Sequence, residues 1–340
     1  MPSLSLAKLY VRYKEGGGVA GYLVSLRVAL EQHIQKPKHD DFDFFTCTYC
    51  YKSEEQLQHL HTRILQLKSL GEVSGNLMEE QQMELLGAKV DALELETHVR
   101  MNHHQQGAFT FTRENLHKGQ MVMCMDFGQH AVQMVEGAYA DLVLTFYWLD
   151  DAGRECREYI DCLASEMDEL KRKKTWNVVV TALLSLADGG KFNDVQELFI
   201  FSDTGPQHFR TSNTLYFLRL FQKSRHIRIV VNFFFPYHGH NPCDRHLGST
   251  STHLHCAMRE MELGGKVDRD WLAKNIAECK FTTIKDLPPI KKHSKVVATL
   301  AGIHQYLVFT FPEDEEDSVD CRRLHGGQPT RLKFKRLDQK

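Results

Sequence analysis

Two apolar runs of strand length, MVMCMDF and ELFIFSD, each carry an aspartate near or at the C-terminal end, Asp126 and Asp203. A strand buried on both faces reads as a continuous apolar run, so a carboxylate closing such a run belongs at the rim of a sheet, where solvent or a ligand can meet it. A third aspartate, Asp244, stands shortly after the strand-like IRIVVNFFF, at the expected start of a helix. Asp126 and Asp203 are 77 residues apart, and Asp203 and Asp244 are 41 apart. The first interval has room for strands and a helix, the second for one helix and one strand. Three acids can therefore converge at one end of one sheet.

Around these runs the patterning alternates. ADLVLTFYWLD and HQYLVFTF read as further strands, and AFTFT, at residues 108–112, as a short alternating one. Residues 158–187 show helical spacing, as do Thr211 to Gln222 and the stretch through Leu254 to Met261. Residues 54–101 read as two or three helices on Leu57, Leu60, Ile64, Leu65 and Leu67, followed after a Gly/Ser break by Met83, Leu85, Val90, Leu93 and Leu95. The expected class is α/β, a mixed sheet flanked by helices and preceded by a helical, zinc-binding region. The expected divisions are an N-terminal segment over 1–45, read as a trimmed beginning with a helix over Tyr22–His33; a helical region over 46–107; a catalytic domain over 108–262; and a C-terminal region over 263–340 with one strand, the acidic run PEDEED and a basic tail.

A formal charge of −2 and a pI near 6.8 rule out a strongly basic field over the whole chain, so any contact with nucleic acid is local. The candidate basic stretches are Lys171–Lys174, Lys291–Lys295 and Arg331–Arg336. No continuous apolar run reaches membrane-spanning length and the first residues lack a signal-peptide core, which predicts an intracellular protein with no membrane partner. Nine cysteines, an odd number, and nineteen histidines point to reduced thiols, some of them metal-binding, rather than to a disulfide framework. The chain has no GxxxxGK[ST] loop and no nucleophile elbow, which disfavours nucleotide hydrolysis and serine-hydrolase chemistry.

The acids and the thiols suit different metals. A cluster of carboxylates fits a pair of hard cations, Mg²⁺ or Mn²⁺, held about 3.5–4 Å apart with positions left for phosphate and water. Cys47 and Cys50, with His59 and His61 following on an expected helix, have spacing compatible with a structural Zn²⁺, although neighbouring-but-one helical positions point about 200° apart, so one of the two histidines would ligate. His238, His240, Cys243 and His246 form a second dense cluster. It reads either as a closed zinc site or as a setting in which His246 orients a phosphate or shuttles a proton.

Three blocks, MDFGQH, FSDTGPQHFRTSNTLYFL and PYHGHNPCDRHLG, resemble in order and separation the core blocks of eukaryotic cut-and-paste DNA transposases and their domesticated relatives, members of the acidic-triad superfamily. The resemblance covers roughly residues 120–250. It implies a ribonuclease H-like fold, with Asp126, Asp203 and Asp244 as metal-binding acids, Gln207 and Phe209 positioning the loop after the second acid, and His246 completing a Cys-x-x-His pattern with Cys243. That pattern keeps Glu260 and Glu262 open as rivals for the third acid. Gly128, Gln129, Thr204 and His240 depart from the family blocks; all four lie outside the triad.

What the resemblance implies is metal-dependent phosphoryl transfer on DNA: endonucleolytic cutting, with the freed 3′-hydroxyl then joining target DNA, by a homo-oligomer in the nucleus. Two alternatives stay open. One is a domesticated, inactive relative that binds DNA or regulates; the other is a nuclease of the same fold acting on RNA or branched DNA.

Overall fold

The computed structural model describes residues 48–74, 79–128, 140–164, 176–204, 209–234, 241–260, 269–288, 298–315 and 317–336. The chain divides into two compact units between Gly107 and Ala108, with 326–328 grouped with the first. The described helices of the first unit are α1, Thr48–Ser74, and α2, Glu79–Glu114, whose last turns belong to the second. Arg63 on α1 forms an ion pair with Glu84 on α2 at 2.6 Å, and His61 approaches Glu96 at 3.3 Å. The helix expected over Tyr22–His33 lies outside the described residues.

The second unit is a mixed α/β fold on one nine-stranded sheet. Its strands are β1 Gln120–Gly128, β2 Ala140–Leu149, β3 Glu155–Ala164, β4 Glu197–Ser202, β5 Arg228–Phe233, β6 Thr282–Asp286, β8 Val308–Thr310, β9 Ser318–Arg322 and β10 Thr330–Lys333; β7 Ala298–Thr299 and β11 Lys335–Arg336 form a separate two-stranded pair. The order across the sheet is β10-β9-β8-β5-β4-β1-β2-β3-β6. β1, β2 and β3 run as an antiparallel meander, and β4 and β5 continue the sheet parallel to β1. The helices are α3 Trp176–Asp188, α4 Ser212–Arg225, α5 Pro242–Glu260 and α6 Arg269–Ala277. β6 and β8–β10, all beyond residue 262 where one strand was expected, extend the same sheet at both edges. No described helix is long and apolar enough to cross a membrane.

Side chains on a strand alternate between faces, and this sorts the core. Met121, Met123 and Met125 of β1 point to one face, where Phe146 of β2 meets Phe192 after α3, and Phe192 meets Phe221 of α4. Val122, Cys124 and Asp126 share the other face with Val143, Thr145 and Tyr147 of β2 and Phe201 of β4. That face is covered by the end of α2 and by α5. Phe109 of α2 sits edge-on to Tyr147, Phe201 and Phe234, while Cys243 of α5 joins the same cluster. Gly128 is held so close beneath α5 that an added Cβ would lie 2.8 Å from a Leu247 methyl carbon and 2.9 Å from an Asp141 carboxylate oxygen.

Two expected elements differ. AFTFT is not a strand but the last turns of α2: Phe109 and Thr112 are buried and Phe111 is 64% exposed, the three-residue spacing of one helical face. Packing of Phe109 outweighs the β-propensity of its neighbours. Residues 158–164, expected to begin a helix, belong to strand β3, Glu155–Ala164. Tyr159 to Ala164 are all buried, and a strand covered on both faces erases the two-residue period that would reveal it.

Candidate functional site

β1 and β4 are parallel neighbours whose register ends with Met125 opposite Ser202. The next residue of each is an aspartate, so Asp126 and Asp203 come side by side on the α5-covered face, on strands about 4.8 Å apart. The third acid arrives through the helix that starts after β5. Asn241 caps α5: its side-chain oxygen accepts the Cys243 backbone N–H at 2.7 Å, Pro242 occupies the first helical position where a missing N–H costs nothing, and Asp244 in the first turn accepts the Asn241 backbone N–H at 2.9 Å. The same Asn241 amide donates to the Asp126 carboxylate at 3.2 Å, joining the cap of α5 to the end of β1.

Electrostatics register the convergence. The Asp126 carboxyl is pushed up to about 7, first by burial, then by the Asp244 carboxylate and then by that of Asp203; the Phe127 backbone N–H, at 2.7 Å, and the Asn241 amide oppose the shift. The three acids share one field without forming a closed cage: among the described residues, no three His, Cys, Asp or Glu side chains are drawn together around a metal-sized gap. The polar groups that gather here are oxygen-bearing, carboxylates with an amide beside them, a chemistry that suits hard cations such as Mg²⁺ or Mn²⁺ better than zinc. Phe209, fully buried, stacks on Phe127 at 5.3 Å and so ties the chain after β4 to the residue after Asp126. Gln207 lies outside the described residues.

His246 does not face this cluster. It is 5% exposed, bonded through Nε2 to Asp161 of β3 at 2.8 Å and stacked on Tyr159 at 4.4 Å between ring centres, so a role in holding a phosphate or moving a proton to solvent does not fit its position. Cys243 is also internal. Its sulfur lies 3.3 Å from the Thr145 hydroxyl, and burial pushes the thiol well above its ordinary range. His238, His240 and Glu262 lie outside the described residues, and Glu260 is the last residue of α5.

The Cys47, Cys50, His59 and His61 set is not assembled by α1. Cys47 lies outside the described residues, whereas Cys50 and His59 stand on one uninterrupted helix. Nine residues of helix rise about 13 Å, and two ligands of one zinc lie within about 4 Å of each other, so the helix separates what the spacing suggested. His59 and His61 are both exposed.

Of the basic stretches, Arg331–Arg336 is engaged internally. Arg331 binds Asp320 at 2.8 Å, Arg336 binds Asp317 at 2.7 Å, and Lys333 binds Glu315, so PEDEED and the tail neutralise each other. Lys171–Lys174 and Lys291–Lys295 lie outside the described residues. Sequence reasoning missed Asn241 and the buried partner Asp161. The Asn-Pro-x-Asp string was a readable capping signal, and Asp161 was an acid inside an apolar run, REYIDCLA.

Removing the Asn241 side chain takes away the cap of α5 and one of two hydrogen bonds to Asp126. Asn241→Ala is expected to cost about 1 kcal/mol in urea unfolding and to raise the pH midpoint of Asp126, read by carboxyl ¹³C NMR titration.

A comparison with protein families finds no family model that matches this chain, and a comparison with curated proteins finds no match either.

Proposed function

We propose that the chain is a transposase-like, metal-dependent phosphoryl-transfer enzyme acting on DNA, with a ribonuclease H-like catalytic unit. The observation that carries the reading is the approach of Asp203, at the end of β4, and Asp244, in the first turn of α5, to Asp126 of β1, whose carboxyl burial first and these two carboxylates next raise to about 7. An antiparallel β1–β3 meander continued beside β1 by parallel β4 and β5, with helices on both faces, supports the fold assignment.

Asp126, Asp203 and Asp244 would hold the divalent cations, which when bound supply an activated water or 3′-hydroxyl and charge neutralisation at the departing oxygen. The chain's own part is positioning. Asn241 orients Asp126 while fixing the helix that carries Asp244, and the Phe127–Phe209 stack holds together the segments that follow Asp126 and Asp203. Assembly of copies on DNA and a nuclear location belong to the same reading.

One observation favours the second reading, a non-cutting DNA-binding relative. Asp244 is already engaged by the Asn241 N–H, and a cap acid of that kind needs no metal. Labelled single-stranded and duplex DNA incubated with the chain and Mg²⁺ or Mn²⁺ separates the two: cutting that stops in EDTA supports the enzyme, whereas DNA binding without cutting under either metal supports the relative.

A further inference from the structure

Arg210 lies in the segment between β4 and α4, directly after Phe209 and directly before Thr211, whose hydroxyl caps α4 by accepting the Thr214 N–H at 3.0 Å. It is 8% exposed. Its Nε is closed to solvent and has no hydrogen-bond partner among the described residues. The charge that it feels most is the Asp203 carboxylate, yet no ion pair between the two occurs among the described residues. An arginine fork carries five donors and cannot shed its charge, so burying one without acceptors is costly unless something else completes it.

Its surroundings limit what that can be. The segment is anchored on one side by the Phe209–Phe127 stack, one residue from Asp126, and on the other by the capped start of α4. Both place Arg210 by the strand ends where the acids gather, and the positive end of the α4 dipole points to the same region. A purely internal role, as counter-charge to the acids, would be served by a direct fork-to-carboxylate pair with Asp203, and the guanidinium does not make one. A planar donor fork beside carboxylates that hold cations is instead suited to an anion with several oxygens.

We propose that Arg210 is the phosphate-contacting residue of this site, its guanidinium taking a non-bridging oxygen of a nucleic-acid backbone phosphate lying against Asp126 and Asp203. The assignment rests on the proposed DNA-directed reading of the same acids and adds the group that positions the polyanion. It makes Arg210 a group whose Nε–H, without a partner among the described residues, gains one in the complex, and this sets it apart from a structural arginine.

The test uses the full chain and its Arg210→Gln and Arg210→Lys variants, with a labelled DNA duplex and Ca²⁺ as the cation, binding followed by anisotropy across a salt series and unfolding followed without DNA. In Arg210→Gln the affinity is expected to fall about tenfold or more and the slope of log K against log salt to shrink by about 1, while the melting temperature without DNA stays level or rises. Arg210→Lys, which keeps the charge and loses the fork, restores the slope but only part of the affinity. An unchanged affinity and slope in Arg210→Gln overturns the proposal, as does a native chain that binds no duplex. A lower melting temperature with native binding overturns it too, and identifies an internal counter-charge. Asp126→Asn run alongside distinguishes the two levels: if the Arg210 effects appear and no condition gives metal-dependent cutting, the phosphate contact stands and the enzyme reading falls.

Discussion

Asp126→Asn is expected to lower metal-dependent DNA cleavage by at least about 10³-fold, about 4 kcal/mol of transition-state stabilisation, while making the metal-free protein more stable at pH 8. The two effects have one origin. Burial and the facing Asp244 and Asp203 carboxylates raise Asp126 to about 7 in the fold, against about 3.9 in an unfolded chain. Between those values the folded state binds the extra proton, so native stability falls as pH rises from about 4 to about 7 and stays low above. Asparagine carries no charge to repel, so the variant gains about 1–2 kcal/mol at pH 8, and the gain disappears by about pH 5, where native Asp126 is protonated. Thermal melts at the two pH values check this. For the same reason a proton is expected to compete with cations at Asp126, and the proposed cleavage by the native chain is expected to rise with pH through about 7. A variant that keeps activity, or one less stable than native at pH 8, contradicts the assignment of Asp126 as a repelled, cation-seeking carboxylate.

The second large effect concerns a pair that touches no substrate. Asp161→Ala is expected to cost about 3–5 kcal/mol in urea unfolding, enough to lower the melting temperature by about 10 °C. Asp161 is fully buried on β3 and His246 nearly so on α5; at 2.8 Å they bond across the interface between helix and sheet, with Tyr159 stacked on the imidazole. Removing one partner strands the other in a site with almost no solvent. Asp161→Leu combined with His246→Leu removes both polar groups and is expected to recover much of the loss. Because α5 also carries Asp244, the single variants are expected to loosen that acid and to weaken the proposed cleavage, and the double variant to restore stability more fully than activity. A cost below about 0.5 kcal/mol for either single change would show that the pair does not anchor α5.

The positions of Asp126 and Asp203 near strand ends were legible because each lies near or at the close of an apolar run, and the β1, β2, β4 and β5 strands were legible as apolar runs. Their convergence was legible only as a possibility of spacing, since the parallel register that sets Met125 opposite Ser202 is a tertiary fact. β3 escaped because burial on both faces hides its period, and the end of α2 escaped because the β-propensity of AFTFT gave way to one buried phenylalanine. His246 was legible as a reactive residue type but not as a buried one: its partner Asp161 sits 85 residues away, on a strand that the pattern had concealed. The Cys-x-x-Cys and His-x-His spacing suggested a zinc site, of which the described members Cys50 and His59 stand nine residues apart on one continuous helix.

Titration with Mn²⁺ at pH 8, followed by electron paramagnetic resonance of the free ion, tests the central claim most directly. Native protein is predicted to take up Mn²⁺ at a site that Asp126→Asn, Asp203→Asn and Asp244→Asn each weaken by about tenfold or more, with uptake fading as pH falls below about 7. Absence of uptake by the native chain, or equal uptake by native and all three variants, would contradict it.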